Sequence, residues 1–240
     1  MTIAEQHRVP AVVYRKECNM LNILEDYIWR SLPEWGAFST NPNLTKKVNH
    51  AGEFLPLHGN TVVFDLSGDT KLALQSLQEE LYQFAGWMLA QKLDSSTFHM
   101  TLRDLVNGPE LTEELKVAMA EAEEKAKHIL HRWKGQPPLH MKATWLFNMV
   151  NTSIVLGLAP ADGDSWRRLG EMYLALESVV PLGYALTPHI TMAYFKPDTY
   201  SQYDLDFLRK ALRPVELEVP LGLDALFYQE FADMNHYRTI

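Results

Sequence analysis

The chain has 240 residues, a net charge of −8 at pH 7 and a single cysteine, and 47% of its residues are hydrophobic. The length suits one large domain or two small ones, and the composition is that of a globular protein. The acidic balance argues against a protein that grips long DNA or RNA, because such proteins usually present a basic surface.

The sequence also bears on location. No apolar run approaches the roughly 20 residues that a helix needs to cross a bilayer, and the first residues lack the apolar core of a signal peptide. One cysteine cannot form an intrachain disulfide. We therefore expect a cytoplasmic monomer without membrane contact. The short basic runs Lys46-Lys47 and Arg167-Arg168 are interpreted as solvated surface.

Residues 1–58 are predicted to form an N-terminal extension. Apolar residues recur at helical spacing over residues 19–35, which predicts a helix. Cys18, just before it, is interpreted as a buried thiol. Residues 37–57 are rich in Asn, Thr, Pro and Gly and predict an ordered loop. We expect this loop to pack along one lobe, and a lid over a cleft is the alternative.

The rest of the chain divides into two halves, residues 59–148 and 149–240, with the same order of predicted elements. Each half has a strand, a helix, a second strand, a second helix and a closing aromatic strand. In the first half these are residues 61–66, 71–88, 97–102, 110–133 and 142–147. In the second half they are residues 152–158, 165–179, 188–195, 201–212 and 223–228. The repeat predicts two lobes that share a cleft within one bilobal domain.

The long helix over residues 110–133 is rich in Glu and Lys, which suits an outer face. Thr112 provides a start signal, and Gly135 provides a stop signal. His128 and His131 lie one helical turn apart, a spacing that some metal sites use. No supporting carboxylate or cysteine pattern accompanies them, so they are interpreted as surface residues, and no metal or cofactor is expected.

The second strand of each half carries the tripeptide form His-x-Thr, as His99-x-Thr101 and His189-x-Thr191. In a chain with nine histidines, about one His-x-Ser/Thr match is expected by chance. Side chains alternate along a strand, so each copy presents His and Thr on one face and apolar residues on the other. The repeat around each copy therefore predicts one cleft with a His-Thr pair on each wall.

These four side chains suit cleavage of a phosphodiester without a metal. Histidine titrates near neutral pH, so one ring can accept a proton while the other donates one. Threonine hydroxyls can donate hydrogen bonds to the non-bridging phosphate oxygens. We therefore expect His99, Thr101, His189 and Thr191 to be the catalytic residues.

Three further residues are candidates for substrate binding. Strand alternation places Arg103 on the His99 face, where it could pair with a phosphate or form a salt bridge at the rim. Phe195 is in register with His189 and could stack on a base or pack in the core, whereas Tyr194 alternates away and is predicted to be core. Asn60 could line the edge of the site or serve a turn.

The paired motifs and the duplicated unit resemble the 2H phosphoesterase superfamily, which is named for two His-x-Thr/Ser motifs in a duplicated α+β fold. That group includes bacterial 2′-5′ RNA ligase-like proteins and cyclic nucleotide phosphodiesterases. The resemblance covers residues 59–232, and residues 52–63 are similar to a poorly characterised branch with an N-terminal extension. It implies an α+β bilobal fold, with two antiparallel sheets around a central cleft and helices packed outside.

The resemblance also implies an activity and a partner. The expected reaction is hydrolysis of a 2′,3′-cyclic phosphate or a related phosphodiester of a small nucleotide or RNA end, with His189 as the base for water and His99 as the acid. One alternative is a nucleotide-binding module without turnover, although such a protein is expected to have lost one of the four motif residues. Another is 2′-5′ ligation, which uses the same residues.

Overall fold

The computed structural model describes residues 32–240. Cys18 lies outside the described residues, as does the helix predicted over residues 19–35 except for its last four residues, which are not helical. Within residues 32–240, no helix is both long enough and apolar enough to span a bilayer.

The strands and helices follow the predicted order. The strands are β1 (Phe38–Ser39), β2 (His58–Asp65), β3 (His99–Gly108), β4 (Leu139–Met149), β5 (Ser153–Pro160), β6 (His189–Tyr194), β7 (Thr199–Tyr200), β8 (Glu218–Leu221), β9 (Leu226–Asp233) and β10 (His236–Thr239). The helices are α1 (Gly68–Ala85), α2 (Glu113–Leu130), α3 (Gly163–Ala175) and α4 (Gln202–Ala211). The short strands β1, β7, β8 and β10 were not predicted.

Eight of these strands form one antiparallel sheet in the order β10-β9-β2-β3-β6-β5-β4-β8, and β1 pairs with β7 in a separate ribbon. The centre of the large sheet is weakly joined, because β3 and β6 are in register only at Met100 and Ile190. The sheet therefore consists of two halves that meet where the two His-x-Thr motifs lie. This confirms the predicted α+β class, and the two predicted sheets are the two halves of one curled sheet.

The closing strand of each sequence repeat pairs within the other half of the sheet. β4 follows the first motif along the chain but pairs with β5 and β8. β9 follows the second motif but pairs with β2. Both repeats thus contribute strands to both halves of the sheet, and this exchange ties the two walls of the cleft together.

Side-chain caps fix the starts of the helices. Ser67 accepts a hydrogen bond from the backbone of α1, and Thr112 does the same for α2, as its sequence predicted. Ser201 and Asp204 form a reciprocal capping box at the start of α4. A short 3₁₀ turn follows α2, and Gly135, with φ +73°, lies just beyond it in the left-handed conformation that favours glycine.

The loop over residues 37–57 packs along the half of the sheet that contains β6. Phe38 pairs with Tyr200 of β7, and the imidazole Nδ1 of His50 lies 2.8 Å from the carbonyl oxygen of Pro197. Leu44 and Val48 are fully buried. These anchors hold the segment between them in a fixed position beside the cleft.

The sequence suggested that both short basic runs are solvated, but one residue of each run is partly or fully buried. Lys46 is exposed, but its neighbour Lys47 is half-buried and lines the cleft. Arg168 is only 7% exposed, since its guanidinium donates to the carboxylate of Asp164 and to the carbonyl oxygen of Pro137. The prediction of solvated surface was therefore wrong for Lys47 and Arg168.

Candidate functional site

A cavity of about 450 Å³ lies at the junction of β3 and β6. His99 and Thr101 of β3 line it, together with His189 and Thr191 of β6, and all four side chains are half-buried. The fold therefore brings together the four residues that the two motifs singled out.

The two histidine rings are held by the same device in both halves. The Nδ1 atom of His99 lies 2.7 Å from the carbonyl oxygen of Thr97, and that of His189 lies 2.6 Å from the carbonyl oxygen of Thr187. A carbonyl oxygen can only accept, so each Nδ1 donates its proton. In the neutral ring the Nε2 atom then carries a lone pair and can take up a proton.

Burial is the largest influence on both rings, and it lowers the pKa of His99 and of His189 below the usual value of 6.5. The carbonyl hydrogen bonds and the carboxylate of Asp104 oppose this effect. Asp65 also raises the pKa of His99, whereas the charge of Lys47 lowers that of His189. The charge of His189 further lowers the pKa of His99, so the cleft disfavours two protonated rings at once.

A β-bulge follows the first motif. Val63 is paired with Thr101, but the preceding residue Val62 is paired with Arg103, so Leu102 has no partner on β2. An extra residue of this kind shifts the alternation of side chains by one position. The residue after the bulge therefore turns away from the face that the motif presents.

The second motif has a bulge at the equivalent position. Val155 is paired with Thr191 and Ile154 with Ala193, which leaves Met192 unpaired. In both halves the bulge thus falls directly after the motif threonine. The two half-sites are alike in backbone irregularity as well as in sequence.

Arg103 borders the cavity but is fully buried there. Its guanidinium binds the carboxylate of Glu177 and the carbonyl oxygen of Val180, whereas its Nε and Nη1 atoms have no hydrogen-bond partner in the described part of the chain. It also stacks on Tyr173, with its Cζ atom 4.5 Å from the ring centroid. Arg103 therefore forms a salt bridge, as the alternative predicted, but inside the protein and within β3 rather than at the rim.

The second bulge corrects the expectation for Phe195. This side chain is 0% exposed, and its ring lies edge-on to Phe38 at 5.2 Å between centroids. Tyr194, which was predicted to be core, is buried in the core and also lines the cleft. Phe195 is therefore a core residue and cannot stack on a bound base.

Asn60 also lies in the core rather than at the edge of the site. Its amide donates to the carbonyl oxygen of Met119 and to the hydroxyl of Tyr228, and its oxygen accepts from the backbone N–H of Val106. At 1% exposure it is a buried polar residue that ties β2 to α2. The prediction that Asn60 lines the site was wrong.

Three cleft residues had no sequence signal. Asp104 faces the cleft because of the bulge, and Lys47 reaches it from the N-terminal extension. Tyr237, in the C-terminal hairpin, packs its ring against His99 at 4.9 Å between centroids. Each depends on a bulge or on a segment beyond the repeated elements, and a single sequence reveals neither.

Within residues 32–240, no group of three or more His, Cys, Asp or Glu side chains has an arrangement that could hold a metal ion. His128 and His131 are both exposed at the C-terminal end of α2. Their exposure agrees with the interpretation of this pair as surface residues.

No protein-family model and no curated protein sequence matches the chain. Among solved structures, a conserved protein of unknown function from Agrobacterium tumefaciens is similar, with a TM-score of 0.58, 19% identity and coverage of 85% of this chain and 93% of that one. A Thermus thermophilus protein (TM-score 0.49, 17% identity) and Escherichia coli LigT (TM-score 0.46, 15% identity) each match 78% of this chain and 95% of their own. The first likeness shows a shared fold and says nothing about activity.

Proposed function

We propose that this protein is a metal-independent phosphodiesterase that hydrolyses the 2′,3′-cyclic phosphate of a small nucleotide or RNA end, or a related phosphodiester. The observation that supports this most is the matched pair of Nδ1–carbonyl hydrogen bonds, which leaves the Nε2 atom of His99 and of His189 for proton transfer. Two such rings in one cavity are what an acid and a base need.

The proposed reaction is an in-line displacement at phosphorus. The Nε2 atom of His189 accepts a proton from water as the water oxygen forms its bond to phosphorus. The bond from phosphorus to one ribose oxygen breaks, and protonated His99 gives its Nε2 proton to that oxygen. The hydroxyls of Thr101 and Thr191 donate to the non-bridging oxygens, whose charge must be stabilised during transfer. Proton exchange with solvent then restores both rings.

The roles of the two rings follow the resemblance to the superfamily, since the surrounding charges do not separate them. Lys47 opposes protonation of His189, which favours the neutral ring that a base requires. Asp65 raises the pKa of His99, as an acid requires, but the charge of His189 lowers it more strongly. Asp104 acts on both rings and therefore does not separate them.

The size and charge of the molecule support a small substrate. A cavity of about 450 Å³ lies within the usual range for sites that bind small ligands. A net charge of −8 provides no basic surface for a long nucleic acid. We accordingly propose that the protein acts on nucleotides or short RNA ends. We also propose, as the sequence predicts, that it is a cytoplasmic monomer.

The proposal is tested by incubating the protein in EDTA with each 2′,3′-cyclic nucleotide and following the phosphomonoester product by ³¹P NMR. We expect turnover by the wild type and by His128→Ala, a control that removes an exposed histidine, and a loss of about 10² to 10⁴-fold in His99→Ala and His189→Ala. A wild type that binds these nucleotides without turnover would instead support the binding module. Accumulation of 2′-5′-linked product from RNA ends would support the ligase.

A further inference from the structure

Lys47 lies outside the duplicated unit, yet it reaches the cleft that the unit forms. Its neighbours Leu44 and Val48 are fully buried, and its backbone N–H and carbonyl oxygen are bonded to Leu44 and Leu55 respectively. The backbone of Lys47 is therefore fixed on both sides. Its side chain lies beside Tyr194, with Nζ 5.6 Å from the centre of the ring.

Lys47 interacts with one residue from each half of the cleft. Asp104 is the fifth residue after His99, and Tyr194 is the fifth residue after His189, counting each motif histidine as zero. Both follow the bulge and line the cleft. Interactions with both of them raise the pKa of Lys47, Tyr194 more strongly than Asp104. Lys47 is thus placed where the two halves of the cleft meet.

The ammonium of Lys47 has no carboxylate within salt-bridge distance among residues 32–240. Arg103, the other permanently charged cation that borders the cavity, is engaged by Glu177. Tyr194 and Asp104 together outweigh the effect of burial and keep the pKa of Lys47 raised, so the ammonium stays charged in the free protein. The cleft of the free protein therefore has a fixed positive charge beside the two histidines.

We propose that Lys47 is a phosphate-binding residue of this site, whose ammonium contacts a non-bridging oxygen of the substrate phosphodiester between the two motifs. The inference rests on the proposed function and extends it. An ammonium placed there adds a point charge to the hydrogen bonds of the two threonines. The N-terminal extension is then part of the active site, because its anchors hold Lys47 in the cleft.

The test compares Lys47→Met, which keeps the apolar stem and removes the charge, with Lys47→Arg, which keeps the charge. Lys46→Met is the matched control, since Lys46 is the exposed neighbour. Binding of inorganic phosphate is measured by calorimetry at pH 7.5. We expect Lys47→Met to raise the Kd for phosphate about 10-fold or more, whereas Lys47→Arg and Lys46→Met change it by less than about 3-fold.

A second readout excludes a purely structural role. Asp104 raises the pKa of His189 and Lys47 lowers it, and the charge of His189 in turn lowers the pKa of His99. Loss of the Lys47 charge removes one of the two influences that oppose protonation of His189, the other being burial. The acidic limb of the pH–rate profile should therefore move to higher pH in Lys47→Met and stay in place in Lys46→Met.

The two proposals fail in different ways. If the wild type cleaves no cyclic phosphate but binds phosphate in a manner that requires Lys47, the phosphodiesterase proposal fails and the phosphate-binding role of Lys47 stands. If the wild type is active and both His→Ala variants are inactive, while Lys47→Met keeps wild-type phosphate affinity and pH profile, the role of Lys47 is overturned. Absence of phosphate binding by the wild type at millimolar concentration overturns it as well.

Discussion

Replacement of Phe195 by alanine distinguishes the buried position seen in the structure from the base-stacking position that strand alternation suggested. The ring is 0% exposed and lies edge-on to Phe38. Removing a fully buried phenylalanine costs about 3 to 5 kcal/mol, because transfer free energy is lost and a cavity remains. For a domain of this size, each kcal/mol lowers the Tm by about 2 to 4 °C, so we expect a decrease of about 6 to 20 °C.

The assay combines thermal unfolding with steady-state kinetics on a cyclic nucleotide below the Tm of the variant. Phe195→Leu is the matched control, because leucine fills much of the same volume and should cost about 1.5 kcal/mol. In both variants we expect KM within about 2-fold of the wild type, since the ring does not reach the cleft. A Tm close to that of the wild type together with a strongly raised KM would refute the placement of Phe195 and the bulge on which it depends.

Three other predictions concern the framework of the site. Asn60→Ala leaves buried partners without their hydrogen bonds and should reduce the free energy of unfolding by about 2 to 4 kcal/mol, measured by urea denaturation. Gly59→Ala should destabilise the protein by about 1 to 3 kcal/mol, since its Cβ would lie 2.5 Å from the carbonyl oxygen of Val106; an unchanged urea midpoint would contradict this. The folded-state pKa values of His99 and His189 lie below the unfolded value of 6.5, so the unfolded chain binds more protons than the folded protein between the folded and the unfolded pKa values. Stability should therefore be full above about pH 6.5 and decrease as the pH falls through that value, and the urea midpoint of the double variant His99→Asn/His189→Asn should decrease less.

The sequence predicts the repeat, the order of elements and the pairing of the motifs, because these depend on local patterns. Apolar alternation, cap residues such as Thr112 and the stop at Gly135 are all local signals. The exchange of β4 and β9 between the halves of the sheet is a long-range pairing that no local pattern encodes.

The errors at the site have one main cause. A bulge changes the face of every residue after it, and nothing distinguishes Leu102 or Met192 from a regular strand residue in the sequence. Phe195 was therefore assigned to the wrong face. Lys47 was misjudged for a different reason, since two adjacent lysines are typical of a solvated surface and only tertiary packing buries the second one.

The most direct test of the central claim compares the two histidine variants on substrates with different leaving groups. A ribose oxygen needs a proton as it departs, whereas p-nitrophenolate does not, so a general acid is dispensable for a p-nitrophenyl phosphodiester. We predict that His99→Ala loses about 10² to 10⁴-fold in kcat/KM on a 2′,3′-cyclic nucleotide and far less on a nucleoside p-nitrophenyl phosphodiester, while His189→Ala loses activity on both. Wild-type rates on the cyclic nucleotide in either variant would contradict paired acid–base catalysis, and equal losses by both variants on both substrates would contradict the division of roles between the two rings.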